Sequence, residues 1–358
     1  MPSNHSTIQP LVLHRVSCPL CGDNESRRLF VAPDWYCSLT GDDDFAIERC
    51  RSCGHVFMNP APTAESIPRC YPDGYAPHKS ETSSLEAPPS PREGLSSKPE
   101  RLPAPPAKTP WYLSSVVRRI PGLRRLYYWL TDTRSQPVPP GPGVGQRALE
   151  IGCGAGNYLV ALREAGWDAE GLDLVAAAVE VSREKGFAVH HGDLASFPAE
   201  PQTYDGVFAW MVLEHLPRPR ETLAVLSSLL KPNGCFGFSV PNYGSGERVV
   251  FGRYWAALEL PRHLQQYTPA ILKQLLIEAG FTDIQIIHQP SLLNAVGSVG
   301  YWLRDRFPRS RWGPRLVVWF FENPPLAVTL AIAPWAHFLA AIRQSGRLTV
   351  FARRTRGA

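Results

Sequence analysis

Residues 1–20 lack the apolar stretch that follows a basic start in a secretory signal peptide. We therefore expect a cytoplasmic protein whose cysteines stay reduced. The chain also lacks a large excess of charge, since its net charge is only +5. A net charge of this size does not by itself predict a nucleic-acid partner. Apolar residues are nearly absent from residues 77–110, which are rich in proline and serine and are predicted to be a flexible linker.

The composition of the 358 residues predicts three further regions around this linker. Residues 16–76 contain two close pairs of cysteines and are predicted to be a small metal-binding module. Residues 111–144 begin with aromatic, leucine and arginine residues and are predicted to form a basic amphipathic helical segment. Residues 145–358 are predicted to be one α/β domain, with an apolar helical insertion at about 290–346.

The two cysteine pairs have the spacing of a zinc knuckle. Cys18 and Cys21 form the first CxxC pair, Cys50 and Cys53 form the second, and each pair is followed by glycine. Four thiolates around a tetrahedral zinc ion leave no open coordination position, so the predicted Zn²⁺ is structural.

Strand and helix patterns alternate along the predicted α/β domain, residues 145–358. Apolar runs of strand length occur at 147–151, 168–174, 187–193, 204–210, 234–240, 281–288 and 347–354. Helical spacing that ends at glycine occurs at 157–166, 175–186, 220–234 and 268–280. This alternation predicts a mostly parallel sheet with helices on both faces and a ligand at the carboxyl ends of the strands.

The first strand ends in a glycine-rich turn, LEIGCGAGN, whose GxGxG spacing argues weakly against a dinucleotide. Glu150 precedes the turn and would repel a pyrophosphate, whereas it suits a ligand with an ammonium group and a sulfonium centre. Asp173, at the end of the second strand, can accept hydrogen bonds from two ribose hydroxyls. Asp193 ends the third strand, where it either accepts a hydrogen bond from an adenine amino group or caps a helix.

Together with Tyr204-Asp205 and Glu214-His215-Leu216, these motifs resemble those of the class I S-adenosylmethionine-dependent methyltransferases over about residues 147–354. The resemblance implies S-adenosylmethionine as cofactor and a Rossmann-like, seven-stranded sheet with a final antiparallel strand. The cofactor-binding residues that it implies are Glu150, Gly152, Gly154, Gly156, Asp173, Leu174, Asp193, Leu194 and Trp210.

Methyl transfer to a hydroxyl needs a general base, and the candidates are His263, His215 and Glu214. His263 lies in a predicted loop that covers the methyl group in related enzymes, although it could instead only fix that loop. Glu214 could equally cap a helix.

The cysteine module is similar to the N-terminal module of bacterial methyltransferases that act on sugars and small molecules. It carries no dense basic patch, and residues 34–45 are acidic, so no nucleic-acid partner is expected. Tyr71 and Tyr75 could reach the site, but packing at the module's edge is the simpler expectation. Two alternatives stay open: a zinc-ribbon methyltransferase that binds RNA, and a catalytically silent module that binds S-adenosylmethionine.

The insertion contains no formal charge over residues 324–342, which just reaches the length of a membrane span, but three prolines argue against a simple spanning helix. A hairpin at a membrane surface would fit, and so would a cover for the cleft or a dimer interface. The expected acceptor is an oxygen, with a carbon as the second choice, on a sugar, a glycolipid or another lipid-linked or quinone-like small molecule. The sequence leaves the oligomeric state open.

Overall fold

The computed structural model describes residues 11–35, 44–71, 136–139, 145–198, 200–291, 293–322 and 325–355. The predicted linker at 77–110 lies outside these residues, as does most of the predicted amphipathic segment at 111–144.

Strands in the described residues are β1 Leu13–His14, β2 Ser26–Pro33, β3 Asp44–Cys50, β4 Val56–Met58, β5 Ala61–Pro62, β6 Arg147–Ile151, β7 Asp168–Asp173, β8 Val189–His191, β9 Tyr204–Trp210, β10 Leu230–Pro241, β11 Gln265–Gln266, β12 Phe281–His288 and β13 Arg347–Arg354. The α-helices are α1 Asn157–Glu164, α2 Ala176–Glu184, α3 Pro219–Leu229, α4 Gly246–Phe251, α5 Pro269–Glu278, α6 Leu293–Arg306, α7 Trp312–Glu322 and α8 Leu326–Ala341.

The large sheet has seven strands in the order β12-β13-β10-β9-β6-β7-β8. Strands β8, β7, β6, β9 and β10 run parallel to one another, and β13 is antiparallel to both β10 and β12. The predicted Rossmann-like sheet with a final antiparallel strand is confirmed. Strand order reverses between β6 and β9, so a ligand crevice is expected at the carboxyl ends of these two strands.

Both faces of the sheet are covered by apolar packing. Along β6 and β9, Leu149 and Val207 belong to the core on one face, and Ala148 and Phe208 belong to the core on the other. All four side chains are fully buried. Burial on both faces explains why these strands appear in the sequence as continuous apolar runs.

The helix ends agree with the glycine pattern except at α3. Gly166, Gly186 and Gly280 follow α1, α2 and α5 with left-handed φ angles of +93°, +80° and +82°. The predicted third helix extended to residue 234, but α3 ends at Leu229 and β10 begins at the next residue. Leu230 already pairs with Tyr204, and a proline at 232 has no N–H to continue the helix.

The N-terminal module forms an antiparallel sheet in the order β11-β4-β3-β2, beside a small β1-β5 ladder. Strand β11 comes from the α/β part of the chain, where Gln265 pairs with Phe57. The Gln265 side-chain oxygen also lies 2.8 Å from His55 Nε2, and burial lowers the pKa of His55 to about 4. The module and the loop around residue 263 therefore share one sheet.

Three helices, α6 to α8, lie between β12 and β13. Helices α6 and α7 approach closely where glycines face each other. A Cβ added at Gly300 would lie only 3.0 Å from the Gly313 carbonyl oxygen. Within the described ranges, we find no helix with the length and apolar character needed to cross a membrane.

Candidate active site

The glycine turn leaves the backbone open to a ligand at one position. Gly152, Gly154 and Gly156 all have left-handed φ angles, of +67°, +52° and +73°. A Cβ at Gly152 would lie 2.6 Å from Val212 Cγ2, and a Cβ at Gly156 would lie 2.7 Å from Ser182 Oγ. A Cβ at Gly154 would meet no atom within 4 Å, so this glycine faces open space that a close ligand can use.

Two carboxylates lie beside this turn. Asp173 accepts hydrogen bonds from Gly154 N at 2.7 Å and from Val175 N at 2.8 Å, and each of its oxygens keeps a further lone pair. Glu150 is 3% exposed, and its Oε2 has no hydrogen-bond partner among the described residues. Burial, together with the nearby Asp173 charge, raises the pKa of Glu150 well above its usual range. An open glycine and a buried carboxylate with one oxygen left unpartnered fit a cationic nucleoside such as S-adenosylmethionine.

The remaining predicted cofactor contacts lie in different surroundings. Asp193 is exposed, and its Oδ1 accepts a hydrogen bond from Ser196 N at 2.9 Å. Hydrogen bonds from the Ser196 side chain and backbone lower the pKa of Asp193. Leu174 is 63% exposed directly after Asp173, and Leu194 is half-buried. Asp193 thus braces its own turn, while Leu174 leaves an apolar surface beside the turn.

Trp210 is 6% exposed and packs in the core on one face of the sheet. Its ring centroid lies 5.1 Å from that of Tyr158 and 6.3 Å from that of Phe351, both in edge-to-face geometry. Its Nε1 has no partner among the described residues.

The structure brings the three predicted base candidates together. Glu214 and His215 lie in a 3-10 turn directly after β9, and His263 approaches from the loop before β11. One potential ligand atom of each residue lies within 4.8 Å of the others. The His215 and His263 ring centroids are 4.6 Å apart, with the rings nearly perpendicular.

His263 lies in a loop, as predicted from the sequence, and is only 2% exposed. Its Nδ1 donates to the Ala257 carbonyl oxygen at 2.8 Å, so Nε2 faces Glu259 Oε2 at 3.6 Å and Glu214 Oε1 at 4.0 Å. Burial lowers the pKa of His263, and burial raises that of the fully buried Glu214 to about 8. Because both side chains are buried, they can influence a bound substrate only through a neighbouring residue such as His215.

His215 is the partly exposed member of the cluster. Its Nδ1 lies 3.1 Å from the Arg262 carbonyl oxygen and 2.9 Å from the Tyr71 hydroxyl. A carbonyl oxygen can only accept, so the hydrogen-bond network assigns the proton to Nδ1. His215 Nε2 is then the unprotonated nitrogen, as a general base requires.

A buried ion pair holds the loop that carries His263. Arg262 NH2 lies 2.8 Å from Asp34 Oδ1 and its Nε lies 3.3 Å from Glu259 Oε1. Arg262 NH1 also donates to the Cys70 carbonyl oxygen at 3.2 Å, one residue before Tyr71. Sequence reasoning missed Arg262, Asp34 and Glu259, and the only signal was the position of Arg262 directly before His263.

The four predicted zinc ligands lie together in the N-terminal module. Their Sγ atoms are all within 4.8 Å of one another, and the Cys18–Cys53 and Cys21–Cys50 distances are both 3.5 Å. Thiolates at about 2.3 Å from a tetrahedral zinc ion would be about 3.8 Å apart. The glycines after the two pairs, at positions 22 and 54, have left-handed φ angles of +76° and +74°. The donor set and spacing therefore fit zinc.

Comparison with known proteins agrees with this geometry. A family model described as a methyltransferase domain matches residues 123–286. A ubiquinone biosynthesis O-methyltransferase from Burkholderia cenocepacia is 34% identical over 155 residues, which cover 40% of this chain and 66% of that protein. A protein of the same name from Burkholderia pseudomallei strain 1710b is 32% identical over 155 residues, covering 40% of this chain and 67% of its own length. A solved S-adenosylmethionine-dependent methyltransferase from Archaeoglobus fulgidus aligns with a TM-score of 0.41 and 20% identity, over 67% of this chain and 94% of that chain.

The sheet order, the glycine turn with its carboxylates and the curated relatives define one class of protein. The chain belongs to the class I S-adenosylmethionine-dependent methyltransferases.

Proposed function

We propose that this protein transfers the methyl group of S-adenosylmethionine to a small molecule, with His215 as the general base. The acceptor atom is an oxygen, or a carbon as the second choice, on a sugar, glycolipid or quinone-like compound. The observation that carries this proposal is the position of His215, a partly exposed imidazole just after β9 whose Nδ1 lies 3.1 Å from the Arg262 carbonyl oxygen. Gly152 of the cofactor turn packs against Val212, three positions before His215, so the base lies close to the cofactor end of the sheet.

The proposed chemistry needs little more than alignment and one proton transfer. The cofactor, when bound, supplies an electrophilic methyl group on a sulfonium centre. A hydroxyl acceptor arrives protonated, and His215 Nε2 can take its proton as the oxygen attacks. The proton on Nδ1 stays hydrogen-bonded to the Arg262 carbonyl oxygen, and Glu214 and His263 lie beside the ring in the same cluster.

The curated relatives support an oxygen acceptor, because the proteins similar to this chain are named as O-methyltransferases of ubiquinone biosynthesis. The matched methyltransferase domain covers residues 123–286 and does not include the cysteine module. Tyr71, at the end of that module, contacts His215 directly. The module therefore forms part of the proposed acceptor site, which fits a small molecule better than a nucleic acid.

We also propose that Cys18, Cys21, Cys50 and Cys53 hold a structural Zn²⁺. Four protein ligands would complete a tetrahedral site, so this ion would contribute to folding and would offer no position for substrate.

The function can be tested without knowing the acceptor. Extract from a strain that lacks the gene should contain the unmethylated acceptor, and purified protein with methyl-labelled S-adenosylmethionine should label it. Profiling of metabolites and lipids in that strain should show a compound lighter by about 14 mass units, a methyl group replaced by hydrogen. Absence of label from a protein that binds the cofactor would instead support a silent binding module, and label in RNA would support the RNA-binding alternative.

A further inference from the structure

Exposed apolar side chains are concentrated on the insertion formed by α6, α7 and α8. Eight of the fifteen large apolar residues that are exposed in the described chain lie at positions 302–342. Four of them are aromatic residues with more than half of their surface exposed: Phe307, Trp312, Trp335 and Phe338. Monomeric soluble proteins rarely expose this much apolar surface in one region, and such patches mark interaction surfaces.

Helix α8 is the most unusual element of the insertion. Its 16 residues include no aspartate, glutamate, lysine or arginine, and only Ala333 and Ala336 are buried. Trp335 is 66% exposed and Phe338 is 53% exposed. Within the described residues, the backbone of α8 makes only sparse contact with other helices and strands. A helix that is apolar on nearly all sides is normally covered by protein or by lipid.

The segment that carries these apolar side chains is rich in exposed arginines. Residues 302–343 contain six arginines against one aspartate and one glutamate. Arg306, Arg309, Arg311, Arg315 and Arg343 are exposed. The Arg315 guanidinium also lies 5.4 Å from the centre of the exposed Trp312 ring. Aromatic side chains next to arginines suit the boundary between acyl chains and anionic headgroups of a bilayer.

The insertion is attached firmly to the active-site loop. Ala256 N donates to Ser298 Oγ of α6 at 2.9 Å, and Arg304 NH1 donates to the Trp35 carbonyl oxygen at 3.0 Å. Trp35 directly follows Asp34, which holds Arg262. Because β12 and β13 are neighbours in one sheet, the insertion leaves and re-enters the sheet at the same place and can lie along a surface.

We propose that α7 and α8 form a peripheral membrane-binding face for anionic phospholipid. The aromatic side chains of Trp335 and Phe338 enter the acyl boundary, and the exposed arginines contact lipid phosphates. The charge of the surface selects this occupant over a second copy of the chain, whose identical arginines would face one another. The charge of the surface also favours anionic lipid over residues 111–130 as its cover, because those residues carry four further arginines.

Vesicle flotation of the full-length protein tests the proposal. We expect the protein to float with vesicles of phosphatidylcholine and about one third phosphatidylglycerol, to stay behind with pure phosphatidylcholine, and to be released at high salt. Trp335→Glu/Phe338→Glu should lower the bound fraction at least tenfold. Arg311→Gln/Arg315→Gln should lower it about fivefold for each arginine removed.

The control is Ile277→Glu on α5, which also replaces an exposed apolar side chain by glutamate, at a position 56% exposed outside the insertion. This variant should float like the unmodified protein, and thermal unfolding should show that the α8 variant is folded. Failure of the unmodified protein to float, or flotation of the α8 variant at the control level, would overturn the proposal. A dimer that does not float would show that a second copy covers α8, and a monomer that does not float would assign the cover to residues 111–130. No step measures methyl transfer, so the result is independent of the proposed function.

Discussion

The Tyr71 hydroxyl lies 2.9 Å from His215 Nδ1 and joins the end of the cysteine module to the end of β9. The ring centroids are 6.0 Å apart, so the tyrosine also covers one side of the imidazole. Burial raises the pKa of Tyr71 above its usual range, so the phenol stays neutral. The module therefore contributes a side chain to the candidate active site as well as a candidate zinc site.

His215→Asn should lower kcat by about 10²–10⁴, because it removes the only partly exposed base of the cluster. Affinity for S-adenosylmethionine should stay within about twofold in a calorimetric titration, since no cofactor contact is assigned to His215. Tyr71→Phe keeps the ring and should cost about tenfold or less.

His263→Gln tests whether His263 is the base or a residue that positions the base His215. The buried His263 contacts the His215 ring, so its loss should lower kcat and shift the pH profile while a pH-dependent rate remains. A rate as low as that of His215→Asn, with no pH dependence, would instead assign the base to His263.

Asp173→Asn should weaken binding of S-adenosylhomocysteine at least tenfold, on the basis of about 1.5–3 kcal/mol for hydrogen bonds to a charged group. The carboxylate accepts from two backbone N–H groups, whereas an amide has one oxygen to accept with. Asp193→Asn is the comparison: unchanged affinity would limit Asp193 to its turn with Ser196, and a clear loss would support a contact with adenine.

Asp34→Ala should lower the free energy of unfolding by about 3–5 kcal/mol, since it leaves Arg262 as a buried cation without its bidentate partner. The side chains of the pair are 0% and 1% exposed. Denaturant unfolding can measure the loss. Glu221→Gln, which breaks an ion pair whose side chains are 75% and 69% exposed, should change stability by at most about 1 kcal/mol. Equal effects of the two changes would contradict this assignment.

Glu247 should make the folded state less stable as the pH rises. Burial raises its pKa from the ordinary 4.5 to about 8. Between these values the folded protein keeps a proton that the unfolded chain has lost, so stability should fall by up to about 1.4 kcal/mol per pH unit from this group, and no further above pH 8.

Glu247→Gln should therefore gain stability relative to the unmodified protein as the pH rises from 5 to 8, measured by unfolding at each pH. Glu180→Gln is the control, because the Glu180 side chain is 66% exposed. Parallel stability curves for the unmodified protein and Glu247→Gln would show that Glu247 is ionised in the folded state.

Cys21→Ser should abolish the zinc that metal analysis is expected to find at about one ion per chain. Cys235→Ser should retain it, because Cys235 lies on β10, outside the group of four thiols. Chelation should also reduce methyl transfer, since Tyr71 follows the module that the ion stabilises. Full zinc content in Cys21→Ser would contradict the assignment.

Local patterns in the sequence predicted the central sheet well. The predicted bounds of β6 and β9 are those of the structure, because an apolar run between polar or glycine residues suffices to define a buried strand. No pattern marks β11, whose two glutamines become a strand only by pairing with β4. Similarly, Asp34 and Arg262 are 228 positions apart, and an acidic segment gave no sign that one of its carboxylates is buried.

The sequence by itself predicted which residues form the proposed cofactor end of the site. Glu150, the glycine turn and Asp173 belong to adjoining strand ends, where spacing along the chain specifies spacing in the sheet. Only the tertiary structure distinguished the two histidines, by their burial. Burial depends on what packs over a side chain, and the cysteine module covers the loop of His263 while His215 stays partly exposed. The exposure of α8 was likewise a question of packing, because an apolar helix has the same sequence whether protein or lipid covers it.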